Sequence, residues 1–165
     1  NIQNVTKTFG EITALNDISL QISAGELYGF IGPDGSGKTT LFRILTSLLL
    51  PTSGSAMIDD LDVVKDYKKI RNITGSMPGR SSLYGAISGK ENLDFYASIF
   101  NTSLKENYDL IKDIYSHIEP FENRKASALS GGMKQKLALS CALINKTSIL
   151  LLDEPTACVD AVSRQ

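Results

Sequence analysis

Short apolar blocks punctuated by turn residues occupy the chain up to Ile31. Ile2 to Phe9 and Ile12 to Ile22 flank Gly10, and Leu27 to Ile31 follows Ala24-Gly25, so each block is predicted to be a strand. The last of these, Leu27-Tyr28-Gly29-Phe30-Ile31, is almost wholly apolar, as a strand buried on both faces of a parallel sheet would be. Beyond a glycine-rich stretch, Leu41, Ile44, Leu45, Leu48 and Leu49 recur at helical spacing until Pro51 stops them. Ile73 to Met77 reads as a further strand, and Pro78 to Gly89 as loop. Ser88 with Glu91 forms a capping-box pattern ahead of a helical face made by Leu93, Tyr96, Ala97 and Phe100. A second amphipathic helix carries Leu110, Ile111, Ile114, Tyr115 and Ile118, so residues 88–128 are expected to be a helical insertion in an α/β core. Helix is expected again from Ser130 to Asn145, then a buried strand from Ile149 to Leu152.

Composition narrows this picture. A chain of 165 residues with 42% apolar residues fits one domain, residues 1–165, with a real core. Its 17 basic and 18 acidic residues nearly cancel, so no nucleic-acid partner is expected. No apolar run approaches the roughly 20 residues that span a bilayer. The two cysteines, Cys141 and Cys158, suit packing in a reducing compartment. The absence of a starting methionine and the end at Gln165 suggest a partial domain whose C-terminal part is missing, with an exposed apolar sheet edge.

The predicted strand, glycine stretch and helix come in the order that a phosphate-binding loop requires. Gly32-Pro33-Asp34-Gly35-Ser36-Gly37-Lys38-Thr39 fits G-x-x-x-x-G-K-[ST], with Thr40 following. Glycines let backbone N–H groups turn toward phosphate oxygens, and the helix N-terminus adds its positive end. Lys38 is expected to reach the β- and γ-phosphates of a bound nucleotide, and the Thr39 hydroxyl to coordinate Mg2+.

Asp153 and Glu154 close the apolar run Ile149 to Leu152. A strand end entering solvent often carries acids. Beside a phosphate loop, however, Asp153 fits the holding of Mg2+ and Glu154 the polarising of an attacking water.

Leu129-Ser130-Gly131-Gly132-Met133-Lys134-Gln135-Lys136 resembles the signature sequence of ABC ATPases. Physically, Ser130 and the N–H groups of Gly131 and Gly132 open a helix and make a second anion site. The resemblance covers essentially the whole chain. It implies an α/β fold of P-loop NTPase type, with an N-terminal antiparallel β subdomain and the helical subdomain inserted. It also implies head-to-tail pairing with a second ABC ATPase domain, as a homodimer or tandem half, each ATP lying between one phosphate loop and the other domain's Ser130-Gly131-Gly132. By the same resemblance Phe9 stacks on adenine, although it reads equally well as a core strand residue, and Asp160 communicates across the dimer. Drug-type exporters are most similar, which implies a transmembrane permease partner, contacted by the helical insertion and the Pro78 to Gly89 loop, and a peripheral place on the cytoplasmic face of the inner or plasma membrane.

The chain departs from the family where a glutamine is expected after the strand ending in Met77. Gly79 stands there, and no glutamine occurs from Asn72 to Gly89. Slow turnover, or a nucleotide-sensing module, is the alternative that this permits. Cys158 and Ala161 replace a usual glycine and proline, and the only histidine, His117, lies in the helical insertion. A soluble ABC ATPase acting on ribosomes or nucleic acid is the remaining alternative, without the basic arms or coiled coils such proteins usually carry.

Overall fold

The computed structural model describes residues 1–79 and 82–155. Two compact units divide the chain, Asn1–Asn72 and Ile73–Gln165.

In the first unit, two of the predicted strands, β1 (Ile2–Phe9) and β2 (Ile12–Leu20), pair as an antiparallel hairpin about Gly10. Its register is interrupted where Asn4 and Asp17 both take left-handed backbone conformations, and the Asn4 amide donates to Asp17 Oδ1 at 2.8 Å across the irregularity. The phosphate-loop helix α1 (Lys38–Leu45) follows, then β3 (Ser53–Ile58) and β4 (Leu61–Asp62), which complete a sheet of order β2-β1-β3-β4. The β3–β4 turn places Asp59 and Asp60 at φ 50 and 60, the paired positive angles of a tight hairpin turn. Helix α2 (Tyr67–Ile73) leads out of the unit. Leu41, Ile44 and Leu45 from α1 are buried, as are Val5, Leu15, Ala56 and Ile70. Burying only this face is what the helical spacing demanded.

Two sequence expectations need correction here. Helix α1 stops at Leu45, not Leu49: Ser47 turns left-handed at φ 57, and the N–H groups of Leu48 and Leu49 both return to the Arg43 carbonyl, closing the helix before Pro51. Leu48 is therefore exposed. The predicted strand at Leu27 to Ile31 is not formed either. Leu27 and Ile31 are each 100% exposed, and no described strand pairs with them. An all-apolar run becomes a buried strand only where parallel neighbours accept its ladder, and the sheet of this unit is antiparallel. Aromatic edges pack along the segment, with Phe30 lying 5.1 Å from Tyr28 and 5.7 Å from Phe42 between ring centroids.

The second unit starts with β5 (Thr74–Met77) and returns to its side with β6 (Ile149–Leu152), parallel and in register from Thr74↔Ile149 to Met77↔Leu152. The crossover contains α3 (Gly89–Ile99), α4 (Leu104–Tyr115), two short 3-10 turns and α5 (Gly131–Leu143). Ser88 and Ser103 cap α3 and α4 with full capping boxes, each reciprocated by a glutamate three residues on. Leu93, Ile111, Tyr115, Leu137 and Ile144 are wholly buried between these helices. Gly75 is required where α5 crosses β5, because a Cβ there would collide with the Ala142 carbonyl. Among the described residues no helix is long and apolar enough to cross a membrane.

Candidate functional site

The phosphate loop is shaped by its glycines. Gly35 and Gly37 sit at φ 79 and 93, where other residues are strained, and Gly37 also has no space for a Cβ beside the Ala14 carbonyl and Leu15. Gly37 is the N-cap of α1 and offers no side-chain cap, and the helical hydrogen bonds start at Leu41 N–H to the Gly37 carbonyl, 2.9 Å. A helix leaves its first N–H groups without intrahelical partners, and the N-cap glycine has no side chain to accept from them. The Lys38 ammonium folds back along the loop, donating to the Gly32 and Pro33 carbonyls at 2.7 and 2.9 Å and approaching Ser36 Oγ at 3.5 Å. A cation held by two carbonyls at the mouth of an uncapped helix is a receptor for a polyanion. Thr39 is exposed in the first turn, with Thr40 behind it.

Phe9 ends β1 and pairs with Ile12, at the end of the ribbon where Gly37 abuts Ala14. Two residues along a strand cover roughly 7 Å, so Phe9 stands within a nucleotide's reach of the loop. Phe9 is 49% exposed, and Lys7 Nζ lies 5.0 Å from its ring centroid. A wholly buried core residue, the other reading of Phe9, would not keep half its surface in solvent.

In the second unit, Asp153 is buried at the C-terminal end of β6, its N–H bonded to the Met77 carbonyl at 2.8 Å. Glu154 next to it is exposed and takes φ 52, an unusual backbone for a residue with a side chain. Gly79 lies against this carboxylate: a Cβ built on it would sit 3.5 Å from Asp153 Oδ2, an ordinary contact. The sequence could not show that the missing glutamine and the buried aspartate are neighbours across β5 and β6. Among the described residues no three acidic, histidine or cysteine side chains gather as a metal cluster. A single carboxylate such as Asp153 is a ligand that Mg2+ accepts, since that ion keeps waters and substrate phosphates as its other ligands.

Ser130 caps α5, its Oγ accepting from the Met133 N–H at 3.3 Å, and Gly131 and Gly132 form the first turn. No atom lies within 4 Å of a Cβ built on Gly132, so its face of the helix end is open. Lys134 Nζ donates to the Ser127 carbonyl at 3.0 Å and ties the turn before the cap to the helix. Cys141 is buried in the middle of α5, and burial pushes its thiol well above the usual range, so it stays protonated and packs. Asp160, with the Thr156 to Val159 stretch before it, falls outside the described residues.

The first unit thus contains the loop and Phe9, and the second contains Gly79 beside Asp153, Glu154 next to it in sequence, and the Ser130 helix end. One residue that sequence reasoning passed over is Asn107. It sits on the buried stripe of α4, four and eight residues ahead of Ile111 and Tyr115, and a polar residue at such a position was a legible signal.

The ABC transporter family matches residues 15–157. A probable multidrug ABC transporter ATP-binding protein of Escherichia coli (strain K12), YbhF, is 41% identical over 92% of this chain, which spans 27% of that protein's length. The spermidine/putrescine import ATP-binding protein PotA of Fusobacterium nucleatum is 35% identical over 100% of the chain, which spans 44% of PotA. Among solved structures, the dimeric bacterial ABC transporter cassette MJ0796 superposes with a TM-score of 0.86 at 31% identity, covering 99% of this chain and 77% of the cassette.

Proposed function

Because the chain belongs to the ABC transporter family of ATPases, we propose that it is the ATP-hydrolysing motor portion of a membrane exporter. In this reading the Gly32 to Thr39 loop, with Lys38, holds the triphosphate, and Phe9 stacks on the base. Thr39 and Asp153 are the residues that would hold Mg2+, which neutralises charge on the phosphates. Glu154 polarises the attacking water, and Ser130, Gly131 and Gly132 meet the nucleotide of a second ATPase domain. Asp160 relays between the two domains. A permease partner would keep the motor at the cytoplasmic face of the membrane. Export follows the multidrug relative, while the similarity to an importer's ATP-binding protein makes direction the first thing to test.

The observation that carries this reading is the uncapped N-terminus of α1 with Lys38 folded along its loop, in a chain that also ends a partly exposed parallel strand in Asp153-Glu154. In the intact protein, Glu154→Gln should lower steady-state ATP hydrolysis by about a hundredfold while ATP still binds. An unchanged rate would refute the catalytic assignment. Gly79 beside Asp153 favours one second reading, a domain that binds ATP and turns it over slowly; a wild-type rate no higher than that of Glu154→Gln would select it.

A further inference from the structure

The buried face between α4 and α5 is built from Ile111, Tyr115, Leu137, Cys141 and Ile144, and Asn107 breaks it. Asn107 is 8% exposed, and its backbone leaves the helical region, φ −114 and ψ 15, inside α4. Its Nδ2 donates to the Ile144 carbonyl at 2.7 Å and to Thr102 Oγ1 at 2.9 Å. Ile144 is the C-cap of α5, and a carbonyl there has no partner within the helix. A buried amide and a distorted turn are costly where an aliphatic residue would pack, so the arrangement calls for a reason beyond filling space.

That reason lies in what a hydrogen bond does and apolar contact does not. Apolar side chains tolerate sliding along a helix, whereas a buried polar tie sets register. At the other end of α5, the turn before the cap is tied to the 85–87 segment. Ser127 N–H donates to the Gly85 carbonyl at 3.1 Å and Ala126 N–H to the Ile87 carbonyl at 2.8 Å, while Lys134 Nζ grips the Ser127 carbonyl. Hydrogen bonds therefore hold α5 at both ends, and it cannot shift along its axis without breaking one set.

We infer that Asn107 is a positioning residue for Ser130, Gly131 and Gly132: by anchoring the C-terminal carbonyl of α5, it sets where the far end of that helix, roughly 20 Å away, presents its N–H groups. The inference rests on the reading of that helix end as the contact for a partner domain's nucleotide. A shift of 1 Å at such a contact is enough to lower turnover while leaving nucleotide binding at the phosphate loop intact.

The test uses the intact protein and three quantities: kcat and KM for ATP hydrolysis, the Kd of a fluorescent ATP analogue, and the melting temperature. Asn107→Leu should lower kcat about tenfold with the analogue's Kd unchanged. Thr102→Val, which removes the outer partner of the amide together with the hydroxyl's 3.0 Å bond to Glu106 Oε2, should lower kcat about two- to threefold and decides the matter if Asn107→Leu does not fold. Ile111→Val trims the same buried face without touching the tie and should cost stability but not kcat. If Asn107→Leu and Thr102→Val lose no more kcat than Ile111→Val at equal loss of melting temperature, Asn107 is merely structural and the inference falls. Gly132→Glu separates the two levels. If it leaves kcat unchanged, the reading of the α5 end is itself wrong; if it lowers kcat while the Asn107 variant does not, only the positioning role is lost.

Discussion

Among the described residues, the four helices of eight residues or more divide into two pairs by their N-termini. Helices α3 and α4 have complete capping boxes: Ser88 with Glu91 and Ser103 with Glu106 exchange hydrogen bonds of 2.7 to 3.3 Å, and each places a carboxylate in the first turn. Helices α1 and α5 have no acid in the first turn. The first opens on Gly37 with no side-chain cap, the second on Ser130 followed by two glycines. A first-turn glutamate stabilises a helix but repels an incoming anion, so its absence at two ends and its presence at two others sorts them by task. The two ends that lack a first-turn acid differ again between themselves. At α1 Lys38 is held by two carbonyls inside the glycine loop, whereas α5 satisfies one N–H with its own Ser130 and ties Lys134 back to the Ser127 carbonyl. That suits a principal phosphate site on one side and a supplementary contact on the other.

The largest expected effect comes from removing the feature that α5 lacks. Lys38→Ala should cut ATP hydrolysis by about a hundredfold or more, since a cation placed on transferring phosphates ranks with the strongest single contributions to catalysis. A variant retaining near-normal turnover would break the assignment of α1 as the principal site. Next, Gly132→Glu gives α5 the acidic first turn of its structural counterparts. The open space around Gly132 accommodates the side chain, and replacing a helical glycine should raise stability by roughly 0.5–1 kcal/mol while turnover falls at least about tenfold. Stability and activity moving together would erase the distinction between the pairs. Gly79→Gln leaves both ends untouched and asks whether the deficit lies at the carboxylate. The position accepts a Cβ at ordinary distance from Asp153, so the variant should fold, and a rise in kcat of about threefold to tenfold is expected.

Much of this sorting could be read before any coordinates, and the failures have physical causes. Ser88 and Glu91 announced their helix because a capping box is a local device that needs no distant partner. The blocks on either side of Gly10 announced two strands, and their pairing as a hairpin came from the structure. Leu27 to Ile31 misled because apolarity along a strand reports only that burial would be favourable, and a strand exists only where a neighbour pairs with it. The end of α1 was misplaced since Leu48 and Leu49 continued the spacing, while the stop came from backbone geometry at Ser47. The Asp59-Asp60 turn lacked the glycine that usually marks such hairpins. At the site, the loop and the Ser130-Gly131-Gly132 end were legible as contiguous motifs. The approach of Gly79 to Asp153 was not, because it depends on the parallel register of β5 and β6 across the whole crossover.

The smallest effect is expected at the structural pair, and it is the control for all the others. Ser88→Ala should cost about 1 kcal/mol of local stability, seen as faster hydrogen exchange at the first amides of α3, with hydrolysis unaffected. Glu91 allows the same end to be probed by pH. The backbone N–H of Ser88, and then its side chain, hold the Glu91 carboxyl below its ordinary value of 4.5. A group whose pKa is lower in the folded state stabilises that state above its unfolded pKa, and the contribution disappears as pH falls through the folded value. Relative to Glu91→Ala, the wild-type protein should therefore show slower exchange in α3 at neutral pH, and the difference should close as pH drops below about 4.5. Helix α5, with no acid in its first turn, should show no such closing. A pH-dependent loss of protection at α5 equal to that at α3 would mean that the two kinds of helix end are not distinguished by their first-turn charge.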